Sequence, residues 1–545
     1  MKRFSFGFLL LTALYSLLPI LLYGQVDTAW VRRYNGPGNG DDYAYAIAVD
    51  EQGNVYVTGY SVSSGTGDDY TTIKYNSAGV EQWVARYNGP GNWFDYAYAI
   101  AVDGSGNVYV TGESYGGLGT GPDYATIKYN SAGVEQWVRR YNGPGNDDDM
   151  ASAVAVLGNN VYVTGWSWGS STLYDYATIK YNSAGAQEWV ARYHGPGNDY
   201  DWANAIAFGG SGNVYVTGGS YGFGTGPDYA TIKYNSAGFE QWVARYHWPT
   251  NGGDTAYAIA VDALDNVYVT GWSGGDYATI KYNSAGVEQW VRRYNGPGNS
   301  GDRAYAIAVD FYVGKVYVTG YSVGSGTGRD YATIRYSSAG AQEWIARYNG
   351  PGNSDDWANA IAVDGEGNVY VTGFSSDSGT GVDYATIKYN SSGVEQWVRR
   401  YHGPGNGDDK ARSIAVDGSG NVYVTGWSWD SGTGYDYATI KYVPTVAIEE
   451  EYRHPLSANR EPLKIVPNPA SSCFAIRLPR FIRTGNSFPL EVKIYNVAGK
   501  LVRVEKFKHS KTEEPKISLK GIKPGVYILK IKTEDKEFIQ KIIVK

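Results

Sequence analysis

Two sets of aspartates recur along this chain at fixed places in a repeated pattern. One set is Asp42, Asp95, Asp149, Asp201, Asp254, Asp302, Asp356 and Asp409, each a few residues before an apolar stretch such as Ala-Ile-Ala-Val. The other is Asp69, Asp123, Asp175, Asp228, Asp276, Asp330, Asp383 and Asp436, each opening a Tyr-Ala-Thr-Ile-Lys-Tyr-like segment. Carboxylates converging on one place would hold Ca²⁺, which takes six to eight oxygen ligands. A carboxylate in a Gly-rich turn has a second use, accepting backbone N–H bonds that fix the turn. A residue present in every copy is what a structural need of every copy produces. The turn-fixing reading is therefore preferred, and no cofactor is expected.

Other side chains vary from copy to copy. Trp93, Phe94, Trp166, Trp168, Trp202, Trp248, Trp272, Trp357, Trp427 and Trp429 are read as lying in the long connections, where the copies differ from one another. Exposed indole faces stack on sugar rings or anchor protein partners, whereas rings folded back would only cover the connections. As a set they are the candidate ligand-binding residues. The five histidines are His194, His247, His402, His454 and His509, and the first three replace the Asn of a Tyr-Asn-Gly-Pro motif. They give no metal-ligand spacing and no triad, so the expected metal set is empty. A glycosidase needs two dedicated carboxylates, and here the acids are repeated instead of singled out. A binding or adhesion role is the main expectation. A polysaccharide hydrolase or lyase working in a bowl on the same face is the alternative.

These residues must be positioned by the repeat itself. Its closing Trp falls at Trp30, Trp83, Trp137, Trp189, Trp242, Trp290, Trp344 and Trp397, a period of about 53 residues. Each copy predicts four strands. In the first they are Ala46 to Asp50, Asn54 to Gly59, Asp69 to Tyr75 and Trp83 to Tyr87. Ala46 to Asp50 is apolar on both faces, as in a strand packed on both sides. Radially repeated four-stranded units are the blades of a β-propeller. The inner-strand pattern occurs eight times, but the last copy lacks a Trp strand while Trp30 to Tyr34 precedes the first. The expected fold class is all-β: an eight-bladed propeller closed by an N-terminal outer strand, then a small β-sandwich-like C-terminal domain. The long connections, such as 35–39 and 61–68, fall on one face. The short turns 50–54 and 76–79 fall on the other and hardly change.

Residues 1–24 read as a signal peptide, with Lys2 and Arg3 before an apolar run ending near Gly24. The propeller is expected over 25–442, a linker over 443–462 and a C-terminal domain over 463–545. Residues 455–545 carry a balance of +11 and the preceding residues −18, within a net −7. The basic residues of the tail alternate along strands instead of clustering with aromatics, so nucleic acid is not an expected partner. The lone Cys473 excludes an internal disulfide.

Through Ala-Ile-Ala-Val-Asp (46–50), Gly-Asn-Val-Tyr-Val-Thr-Gly (53–59) and Asp-Tyr-Ala-Thr-Ile-Lys-Tyr-Asn (123–130), the array resembles the SBBP β-propeller repeats of secreted bacterial proteins. The tail resembles the C-terminal sorting domain of the type IX secretion system. That likeness rests on Val466-Pro467-Asn468-Pro469, Ile494 to Lys500, Gly525-Val526-Tyr527 and the ending Lys541 to Lys545. The resemblance implies export through the periplasm to the outer surface of a Gram-negative cell, or release from it, with the type IX machinery as a partner. The expected ligand is carbohydrate or a surface protein, and the expected state is a monomer.

Overall fold

The computed structural model describes residues 26–117, 119, 121–249, 252–444, 464–466, 473–477, 488–496, 501–509, 516–523, 525–532 and 537–544. The expected signal peptide at 1–24, residues 445–462 of the expected linker over 443–462 and the tail segments 467–469 and 497–500 lie outside them. The described residues form strands and turns, with no helix among them.

In the first copy, Asp42–Val49, Val55–Ser63, Gly67–Tyr75 and Glu81–Tyr87 pair antiparallel in that order. Six further four-stranded sheets repeat it with consecutive strands. The next sheet is built from Asp409–Val416, Val422–Asp430 and Gly434–Pro444, and its fourth strand is Val26–Tyr34 from the other end of the sequence. The register is the one used elsewhere: Trp30 lies opposite Lys441 and Tyr34 opposite Tyr437, as Trp83 lies opposite Lys74 and Tyr87 opposite Tyr70. Both strands run beyond the expected Trp30 to Tyr34 and Tyr442, pairing Val26 with Pro444.

The first strand of each copy also begins earlier than its apolar core suggests. Asp42 already pairs with Ser61, and a bulge between Ala44 and Ala46 interrupts the register. The same bulge recurs in all eight first strands. An extra residue in a strand re-aims its side chain. The bulged positions are Tyr45, Tyr98, Ser152, Asn204, Tyr257, Tyr305, Asn359 and Arg412, and their composition is among the least repetitive in the array.

Packing between sheets explains the fixed tyrosines and tryptophans. Val55, Tyr56 and Val57 are all buried, so the second strand is covered on both faces. Core clusters join side chains of successive sheets: Tyr56 and Tyr70 pack with Val108, Val110 and Ile127. Tyr423 and Tyr437 pack in the same way with Val55, Val57 and Ile73. The buried Tyr70 hydroxyl donates to the Ala125 carbonyl at 3.2 Å, and a tyrosine in every sheet repeats this bond to the next. From the last copy, Tyr437 donates to Thr71 in the first. The closing Trp bridges sheets too, with Trp30 Nε1 donating to Ser77 O at 3.3 Å and Trp83 Nε1 to Ser131 O at 3.2 Å. Gly79 lies beneath Trp30 with φ +77°, and a Cβ there would come within 2.7 Å of the indole. Glycine is required twice over, by conformation and by contact.

The array, Val26–Pro444, is one compact unit, and the C-terminal residues belong to a second. The tail contains a three-stranded sheet (Lys464–Val466, Cys473–Arg477, Lys516–Ser518) and a four-stranded one (Leu501–His509, Phe488–Asn496, Gly525–Lys532, Glu537–Val544). Val492, Ile494, Leu529 and Ile531 are buried there.

Candidate functional site on the long-connection edge

Antiparallel pairing brings the start of the first strand, the end of the second and the start of the third to one edge of each sheet: Asp42 faces Ser61, and Ser61 faces Asp69. Both aspartate sets therefore meet beside the long connections. Asp42 is fully buried and accepts N–H bonds from Gly36 at 2.6 Å and Val62 at 3.1 Å. Burial pushes its carboxyl up to about 6, against the opposing pull of the Ser61 and backbone bonds. Asp95 and Asp149 are likewise pushed up to about 6 by burial. The other five members of this set each take the N–H of the corresponding connection residue.

The second set is held by arginines that sequence spacing did not single out. Arg140, Arg192, Arg245, Arg293 and Arg347, each near the end of a fourth strand, lie 2.8 Å from Asp123, Asp175, Asp228, Asp276 and Asp330. Arg86 and Arg400 stand 3.6 and 3.0 Å from Asp69 and Asp383. Arg33, in the N-terminal strand, completes the set at 2.7 Å from Asp436. Each guanidinium also donates to the Ser at the end of the second strand, as Arg192 does to Ser167. The signal was present in the repeated Arg-Tyr that ends every fourth strand. It went unread because those arginines look like the polar face of an edge strand.

In three copies the residue after the fourth strand is His instead of Asn, and the fold brings it between the two aspartate sets. His194 Nδ1 is 3.3 Å from Asp175 and 3.8 Å from Asp201. His247 and His402 occupy the same position, near Asp228 and Asp254, and near Asp383 and Asp409.

The ten candidate aromatics divide by exposure. Trp93 and Phe94, in the connection before Asp95, are 56% and 41% exposed, with ring centroids 5.1 Å apart. Trp166, Trp202, Trp272, Trp357 and Trp427 are not in connections but inside strands, at the two paired positions next to the buried Asp and Ser. There they complement one another. Trp202 lies over Gly219, where a Cβ would come within 2.4 Å of the ring. Trp357 stacks near Phe374 and meets Tyr321 of the preceding sheet at 4.6 Å. Trp427 is only 7% exposed, between Tyr43, Tyr45 and the Arg412 guanidinium. Arg303 lies over Trp272, and Arg293 over Trp248 at 3.8 Å. Trp168 and Trp429 fold onto Gly145 and onto Gly405 and Gly407 of the connections. Trp166 and Trp168 share Tyr174, with centroids 4.2 and 4.9 Å away.

Two features escaped the sequence reading. Arg412 occupies a bulged position and is exposed, the only arginine among these eight residues. The short-turn edge is also less uniform than expected: Phe311, Tyr312 and Val313 replace a polar turn, and Tyr312 is 89% exposed. The insertion of larger residues into Asp310 to Lys315 was visible, but its exposure was not.

The family comparisons agree with this architecture. The Beta-propeller repeat model matches residues 29–65, 82–119, 242–278, 343–378 and 396–432. The Secretion system C-terminal sorting domain model matches residues 464–545. The chain carries beta-propeller repeats and a type IX sorting domain. This sorting domain directs the protein through the type IX secretion system to the cell surface or beyond. No curated protein sequence matches the chain. Among solved structures it is similar to the polysaccharide lyase Uly1, with a TM-score of 0.41, 10% identity, and 75% of this chain and 91% of that one covered. It is also similar to a protein of unknown function from Dyadobacter fermentans (TM-score 0.35, 10% identity, 76% and 99% covered). A third is an α-L-arabinofuranosidase from Fusarium graminearum (0.37, 7%, 76% and 97%).

Proposed function

We propose that residues 26–444 form an eight-bladed propeller ring closed by the N-terminal strand, and that it serves outside the cell as a non-catalytic binding or adhesion module. Closure is supported by Val26–Tyr34 pairing with Gly434–Pro444 and by the packing of the last sheet on the first. The ligand is carbohydrate or a surface protein, taken on the long-connection face.

One observation carries the binding reading. Every copy ties its first-strand aspartate to a connection N–H and sets its third-strand aspartate beside the fourth-strand arginine, so the carboxylates are repeated and no single pair is reserved for acid–base work. Diversity is concentrated instead at the bulged residues, their strand neighbours and the connection tips. Trp93 and Phe94 offer the largest exposed rings of the candidate set. The half-buried Trp166, Trp168, Trp202, Trp272, Trp357 and Trp429 border the same edge.

The test is a glycan array and a surface-protein pull-down with the exported chain, followed by turnover assays on any ligand found. Binding without turnover is expected. Trp93→Ala with Phe94→Ala should weaken it at least roughly thirty-fold, the loss of an aromatic hot spot worth about 2 kcal/mol. Product formation, or full binding by the double variant, would defeat the reading.

A further inference from the structure

The three histidines that replace Asn create donor sets the other five copies lack. In those copies the side chain turns along its own connection, as Asn35 donates to Asn39 and Asn142 to Asn146, both at 2.8 Å. His194, His247 and His402 instead point Nδ1 toward two buried carboxylates. One is from the third strand of their own sheet and the other from the first strand of the next.

The spacings suit a metal ion. The Nδ1-to-carboxylate distances are 3.3 and 3.8 Å at His194, 3.6 and 3.9 Å at His247, and 3.4 and 3.6 Å at His402. All three donor atoms of each set lie within 4.8 Å of one another. Zn²⁺ bonds of about 2.0–2.2 Å in tetrahedral geometry separate neighbouring donors by about 3.4 Å. An independent observation points the same way at His247. Its Nδ1 and the Asp228 Oδ1 that faces it at 3.6 Å are both buried atoms without a hydrogen-bond partner. Asp228 is 4% exposed and Asp254 0%. Leaving such groups unpaired is costly, and a cation would engage them.

The surroundings orient the donors. Arg245 holds the other oxygen of Asp228 at 2.8 Å, and the Trp248 N–H donates to Asp254 Oδ2 at 2.8 Å. Such outer bonds fix ligand geometry at metal centres. Two carboxylates and one arginine leave a net negative charge for a cation to meet. A nitrogen donor with two oxygens suits Zn²⁺, whereas Ca²⁺ requires six to eight oxygens. About a third of each histidine is exposed, which leaves the fourth position open to water.

We propose that Asp175–His194–Asp201, Asp228–His247–Asp254 and Asp383–His402–Asp409 each bind one Zn²⁺, clasping successive sheets beside the long connections. The experiment uses the exported full chain, purified without an affinity tag, stripped with chelator and dialysed against micromolar ZnCl₂. His194→Asn, His247→Asn and His402→Asn are combined in the control. That variant restores the residue five copies already carry, so it should fold, and it leaves His454 and His509 in place. Elemental analysis should find three more zinc ions per chain in the wild type than in the variant. Zinc should raise Tm only in the wild type, and Co²⁺ should give tetrahedral visible bands lost in the variant. Equal zinc in the two proteins, or none in the wild type, overturns the proposal. So does a histidine effect on stability that follows pH but not zinc, because protonated imidazole would then be the cation between the carboxylates.

Discussion

Replacing Arg33 with Ala should destabilise the array as much as replacing Arg192, although Arg33 lies in the N-terminal strand. Arg33 donates to Ser428 Oγ at 2.5 Å and to Asp436 at 2.7 Å; Arg192 makes the equivalent bonds to Ser167 and Asp175 at 2.6 and 2.8 Å. The side chains of the two arginines are 21% and 22% exposed, and those of the aspartates 6% and 7%. Removing one partner of a buried pair costs about 3–5 kcal/mol. Partial exposure of the arginine reduces this to about 2–3 kcal/mol. With about 2.1 cal/mol/K of unfolding entropy per residue, an array of this length has about 0.9 kcal/mol/K, which makes the shift about 2–3 °C in either variant. Differential scanning calorimetry of Arg33→Ala, Arg192→Ala and the parent supplies the comparison. A silent Arg33→Ala beside a destabilising Arg192→Ala would show that the N-terminal strand does not complete the last sheet.

Other outcomes follow from the same contacts. Gly79→Ala should cost more than about 2 kcal/mol, because it combines a positive φ with a clash against Trp30; Gly65→Ala, with φ +100° and open space, should cost about half that in urea melts. Burial pushes Asp42, Asp95 and Asp149 to about 6, above the unfolded value of about 3.9. The folded array then holds more protons between those values, so acidifying from pH 7.5 to 5 should raise the urea midpoint, and a falling midpoint contradicts it. Deleting residues 464–545 should leave a folded array trapped in the periplasm, as read by fractionation; normal surface levels would refute the sorting role.

The repeat was legible because each sheet must bury the same two faces against its neighbours. That requirement fixes Val, Ile, Tyr and Trp at a constant period. Counting Trp30 against the last copy even located the missing fourth strand. What escaped was local geometry. The bulge at Ala44 and Ala46 leaves no compositional mark, yet it lengthens the first strand back to Asp42 and re-aims Tyr45. Trp166 and Trp427 looked like connection residues because they follow Thr-Gly, a pair that usually ends a strand. Here the glycine instead admits a close approach: a Cβ on Gly165 would meet the Met150 carbonyl at 2.0 Å, and the strand continues through it.

The same bonds that make the copies alike limit where function can reside. Sixteen aspartates, the paired arginines and the bridging tyrosines are occupied in holding connections and sheets together. Changing any of them is a stability mutation first. Recognition of a carbohydrate or protein ligand must therefore come from side chains outside that network, and these differ along the chain. Copies three and four contribute Trp166, Trp168, Tyr174, Tyr200 and Trp202 without a cation at the bulged position. Copies six and eight contribute Arg303, Lys410 and Arg412, with Arg303 and Arg412 set against aromatic rings of Tyr257, Trp272 and Trp427. A uniform neutral ligand would use only the first group, whereas an anionic one would also engage the second. Salt dependence of binding separates the two cases: affinity that falls steeply with ionic strength assigns the contact to the arginine-bearing copies.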